Sequence, residues 1–105
     1  MGVLVREVRE GASSGTLIIE LSGKFDYQVN REFHGAFKNL DNLPALPVVV
    51  DCSAVEHIDS AALGMLLMLR EQAGGNASKV TICGCNANLK KIFAAAHFDR
   101  LFKFA

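Results

Sequence analysis

No stretch of these 105 residues approaches the ~20 consecutive apolar residues of a membrane-crossing helix. No basic segment followed by an apolar one opens the chain, and Arg6 stands where a myristoylation signal needs Ser or Thr. Neither charge is in excess: 11 Lys and Arg balance 11 Asp and Glu. Neutralising phosphates takes a basic patch or stripe, so no nucleic acid is expected as the main partner. A cytoplasmic chain is expected. Its three cysteines, Cys52, Cys83 and Cys85, are an odd set and make no disulfide framework. Cys83-x-Cys85 is one residue short of the usual C-x-x-C spacing, and even with His97 a zinc site would lack its fourth ligand. They read as small reduced hydrophobes, with no metal expected. Asn76-Ala77-Ser78 is a glycosylation sequon without meaning in such a compartment.

Catalytic signatures are missing too. There is no GxGxxG, no Walker lysine and no GxSxG elbow around Ser60, and His34, His57 and His97 fall into no triad pattern. A hydrolase would have to use His57 as base for Ser60 from three residues away in one loop. No catalytic residue and no cofactor is expected; the chain does not read as an enzyme. Asp51, at the end of an apolar run, resembles a receiver-domain phosphoacceptor. A receiver also needs an acidic pair after its first strand and a lysine after its last, where this chain has a lone Asp26 and Cys83-Gly84. Asp51 is therefore expected to accept backbone N–H bonds in the loop that follows.

Half the residues are apolar and 21% are charged, which makes one folded domain over 1–105. Val3 to Arg9 and Thr16 to Leu21 predict an antiparallel hairpin around the turn Gly11 to Gly15, with Leu17, Ile19 and Leu21 on one face. Ser22-Gly23 is expected to end the second strand. Asp26 is expected to cap a first helix bearing Val29, Phe33, Ala36, Phe37 and Leu40 on its apolar face and stopping before Pro44 and Pro47. Gly74-Gly75 stops the second helix, Lys79 to Cys83 forms a further strand, and Leu89, Ile92, Phe93 and Ala96 mark a last helix. The tail retains Phe98, Leu101, Phe102 and Phe104 and is expected to dock. The order ββαβαβα predicts an α/β fold: a mixed sheet of about four strands, one edge antiparallel, with amphipathic helices packed on it.

The segment from Pro47 to Ala73 organises the rest. Val48-Val49-Val50 predicts a strand buried on both faces and ending at Asp51. Asp59-Ser60 then precedes a helix whose residues Ala62, Met65, Leu66, Leu69 and Ala73 share one face. Gly64, Met68 and Glu71 fall on the opposite side, with Leu63 and Leu67 at the boundary. Local spacing alone favours a plain capping role for Asp59 or Ser60. The same geometry suits a phosphate, because a helix start offers free N–H groups and about half a positive charge.

The segment VVVDCSAVEHIDSAALGMLL resembles the signature of STAS domains of the anti-sigma factor antagonist type: an apolar strand ending in Asp, then Asp-Ser-small-small-Leu-Gly. Gly23-Lys24-Phe25-Asp26, Cys83-Gly84 and the ending HFDRLFKFA match in the same order. Cys85, Asn86 and the bulky Met68 depart from the common pattern. The resemblance implies a STAS-type single domain that binds an anti-sigma factor, itself a serine kinase, and thereby releases a sigma factor. Phosphorylation of Ser60 would block binding and a PP2C-type phosphatase would restore it, with ATP belonging to the kinase. The implied contact surface is Asp26, Glu56, His57, Asp59, Ser60, Ala61, Gly64 and Met68, on a monomer or weak dimer. One exposed patch holding Asp26, Glu56, His57, Asp59 and Ser60, with Asp51 partly buried behind it, is expected. The alternative is a non-enzymatic STAS scaffold subunit docking on a transporter ATPase.

Overall fold

A computed structural model describes residues 2–9, 15–26, 28, 30–37 and 47–105. Strands β1 (Gly2–Arg9) and β2 (Gly15–Phe25) form the antiparallel hairpin. They are followed by α1 (Asn30–Phe37), β3 (Val48–Ile58), α2 (Ser60–Gln72), β4 (Val80–Cys83) and α3 (Ala87–Ala95). The tail supplies a fifth strand, β5 (Lys103–Phe104). The sheet order is β1-β2-β3-β4-β5, and every pair after the first is parallel.

That order has a direct consequence for burial. Right-handed crossovers that always step the same way place each helix on the same side of the sheet. Leu17, Ile19, Leu21, Val48, Val50, Cys52, Val80 and Ile82 are accordingly buried, while their alternates Ile18, Glu20, Ser22, Val49, Asp51, Thr81 and Cys83 are only half-buried. The Val48-Val49-Val50 run therefore does not lie between two layers as its composition suggested. Val49 faces the open side, where an isolated apolar residue is unremarkable.

The expected strand ends at Gly23 and Asp51 are also corrected. β2 continues to Phe25 and β3 to Ile58, paired as far as Phe25↔Ile58. Register shifts between Glu20 and Ser22 and between Gly23 and Lys24 allow this, with Gly23 at a φ of 72° that a side chain would resist. Beyond the irregularity β3 buries Cys52, Val55 and Ile58, a spacing of three that period-two reading takes for a turn.

The second helix buries Ala62, Met65, Leu66 and Leu69, and Ala73 at its C-cap, as its periodicity predicts. On α1, Phe33 is buried against Phe25 at 5.1 Å between ring centroids. Val29, Leu40 and the turn at 11–14 lie outside the described residues, as do the side chains of Ala36 and Phe37. The tail docks through Phe98 and Phe102, both buried, and Phe98 lies 5.5 Å from Phe93 of α3. Arg70 Nε donates to Leu101 O and Ala105 N donates to Ile82 O, tying the tail to α2 and β4.

Candidate functional site

Because Phe25 and Ile58 are paired, Asp26 and Asp59 leave the sheet side by side at one end. Adjacent strands lie about 4.8 Å apart, so these two acids belong to one locus. They are half-buried rather than fully exposed, whereas Glu56, His57 and Ser60 are exposed. Lys24, also exposed, lies opposite His57 in the register. It brings a cation to an otherwise acidic end, and its place there depends on a strand continuation that the sequence did not suggest.

Asp26 does different work from that expected, while Asp59 takes the capping role that local spacing suggests. Asp26 does not cap α1, which starts only at Asn30; its Oδ1 accepts from Gln28 N at 3.0 Å in a local turn. Asp59 is extended (φ −120°, ψ −179°) and caps α2, its Oδ1 accepting from Ala62 N at 3.0 Å. The cap is thus provided by Asp59. Ser60 becomes the first helical residue, exposed, its hydroxyl not needed for capping.

From Ser60 the outer face of α2 runs past half-buried Ala61 and exposed Gly64, where an added Cβ would meet nothing within 4 Å. It reaches Met68, 48% exposed. There a shallow cleft of about 450 Å³ is lined by His34 of α1 with Leu67, Met68, Glu71 and Gln72. The sequence weighed His34 only as a triad member, because its place beside α2 is a tertiary contact that no local period encodes.

Asp51 does not lie behind this patch. It sits seven residues before Ile58, roughly 20 Å along the strand at 3.3 Å per residue, level with Cys83 at the end of the shorter β4. Its Oδ1 accepts from Ser53 N at 2.9 Å and Ser53 Oγ at 2.7 Å, within the strand rather than in a following loop. Ser53 is exposed, so water can replace part of what is lost. Asp51→Ala is therefore expected to cost about 1 kcal/mol, the low end for an unpaired N–H. A urea melt reads this, and a neutral result would remove Asp51 from the account of stability.

Among the described residues no group of three His, Cys, Asp or Glu could hold a metal ion, and no helix is long and apolar enough to cross a membrane.

Comparison with known proteins supplies the family. Residues 8–103 match the family model described as "Mlab, STAS domain". The chain belongs to the STAS family. A STAS-domain containing protein of Pseudomonas aeruginosa is 35% identical over 94 residues, 90% of this chain and 92% of the relative. The fold is shared with SpoIIAA, the Bacillus cell fate determinant, in its phosphorylated form (TM-score 0.70, 14% identity, 99% of this chain and 91% of that one). It is shared also with an anti-sigma factor antagonist from Mycobacterium paratuberculosis (TM-score 0.71, 20% identity, 97% and 82%). In this STAS domain the first turn of α2 combines an exposed hydroxyl with the positive end of a 13-residue helix. Such an arrangement can carry a phosphate at little conformational cost.

Proposed function

We propose that this STAS domain is a cytoplasmic anti-sigma factor antagonist in a partner-switching system, with Ser60 as its phosphorylated switch. The observation that carries the reading is the division of labour at the start of α2: Asp59 caps the helix and leaves Ser60 exposed at its first position. In the unphosphorylated form, the end holding Asp26, Glu56, His57, Asp59 and Ser60, continued along α2 through Ala61, Gly64 and Met68, binds an anti-sigma factor that is also a serine kinase. Phosphorylation adds about −1.5 to −2 charges at Ser60, beside Asp59 and close to Glu56, and burying that charge in a contact costs desolvation. A PP2C-type phosphatase resets the switch. The phosphorylated and unphosphorylated forms named for SpoIIAA support the same reading by likeness of fold.

Incubation with ATP and an extract of the producing cells, followed by intact mass and peptide mapping, tests it. One phosphate on the Ser60 peptide is the expected result. Phosphate on Ser53 or Ser78 would overturn the assignment. No phosphate, together with co-purification of a transporter ATPase, would favour the scaffold reading.

The exposed Met68 beside Gly64 offers an adaptable apolar contact next to the switch. Met68→Glu is expected to weaken partner binding about tenfold or more while shifting stability by less than about 0.5 kcal/mol. Calorimetric binding alongside a thermal melt separates the two. Equal losses would place Met68 in the core.

A further inference from the structure

Cys52 and Cys85 are brought together by the fold and not by the sequence. Cys52 is a buried residue on the helix-covered face of β3, 1% exposed. Its neighbour Asp51 is paired with Cys83, so the turn after β4 passes directly over the Asp51–Ser53 segment. The approach is close: a Cβ on Gly84 would fall 2.7 Å from Ser53 N and 3.0 Å from Asp51 Oδ1. Cys85, the next residue, packs against the core cluster that contains Cys52, close enough for the two thiols to interact. Cys83, by contrast, alternates with buried Ile82 and lies half-buried on the open face beside Asp51.

Access is one-sided. Cys85 lines a cleft of about 300 Å³ with Lys90, Phe93, Ala94, Asp99, Phe104 and Ala105. Cys52 has no such exposure. From this geometry we infer that Cys85 is a thiol-modification site for low-molecular-weight disulfides, and that Cys52 beneath it closes an internal Cys52–Cys85 bridge.

The chemistry has two steps. The Cys85 thiolate attacks one sulfur of the small disulfide; that S–S bond breaks, a mixed disulfide forms and one small thiolate leaves with the electron pair. Cys52 then loses its proton to solvent base and attacks the Cys85 sulfur, expelling the second small thiolate. In sum two protein thiols are oxidised by two electrons and the small disulfide is reduced to two thiols. Burial raises the Cys85 thiol, and its interaction with Cys52 and nearby Lys90 pull it back in part. Burial, then Cys85 itself, pushes the Cys52 thiol far up. The second step is therefore the slow one, and higher pH accelerates it.

This bridge does not rest on the reading of Ser60, which lies at the far end of β3. The test is incubation of the purified full chain with oxidised glutathione at roughly pH 7 and pH 9, followed by intact mass and peptide mapping. The mixed disulfide on Cys85 is expected first, then loss of the glutathionyl group with a net loss of two hydrogens, faster at the higher pH. Cys83→Ser should leave the sequence of events unchanged. Cys85→Ser should abolish both products. Cys52→Ala should stop at the mixed disulfide, which Cys85→Ser checks independently if that core variant fails to fold. Glutathione carried by Cys83, a bridge containing Cys83, or a mixed disulfide that never closes at either pH would overturn the inference.

Discussion

On the proposed function, Ser60→Asp is expected to lower affinity for the proposed anti-sigma partner about a hundredfold, roughly 2.7 kcal/mol, within the several kcal/mol that misplaced charge costs at an interface. The cause is local. Asp59 already holds a carboxylate at the adjoining position, its Oδ1 committed to Ala62 N, so a second acid arrives with no cation of α2's first turn to meet it. Folding should scarcely respond, because an acid at a helix start contributes a few tenths of a kcal/mol in its favour. Ser60→Ala should bind like the unphosphorylated protein and take up no phosphate. Isothermal titration with the isolated partner and a melt of each variant give both numbers. An Asp variant that binds as tightly as wild type would separate Ser60 from the contact surface.

Gly84→Ala is expected to lower stability by about 2–4 kcal/mol, or roughly 10–20 °C in Tm for a chain of this size. Two independent penalties combine. Gly84 has φ +75°, which costs an alanine on the order of 1 kcal/mol. The new Cβ would also stand 2.7 Å from Ser53 N and 2.9 Å from Ser53 Cβ, against backbone that lies in the middle of the sheet and cannot retreat. Gly84→Asn discriminates between them: asparagine tolerates the conformation but not the contact, so it should remain nearly as unstable as Gly84→Ala. Differential scanning calorimetry decides. An alanine variant melting within about 2 °C of wild type would show that the turn can move aside.

The residues that were legible are those whose surroundings are local. The buried face of α2 could be read residue by residue, since Ala62, Met65, Leu66 and Leu69 follow the helical period and Ala73 extends it. Helix stops at Gly74-Gly75 were equally plain, with φ of 117° and 60° there. What failed was non-local. The continuation of β2 and β3 to Phe25 and Ile58 depends on register shifts between two strands, and neither strand's own pattern contains them. Val49 was misplaced because an apolar residue does not say which side of a sheet is covered. Gly84 was legible as a turn but not as a point of close approach. At the start of α2, Asp59-Ser60 identified the helix boundary, while only the folded backbone separates the capping residue from the exposed one.

The uncovered side of the sheet has a consequence for how the chain can vary. Ile18, Val49 and Thr81 are register partners across three strands, and Glu20, Asp51 and Cys83 form the next such row. Both rows stand on the half-buried side. A saturation library sorted for folded protein should therefore show tolerance rising and falling with period two along β2, β4 and the first half of β3. The pattern should keep the same phase from strand to strand and vanish past the register shift. New recognition could be inherited on those rows without a single change to the residues beneath α2.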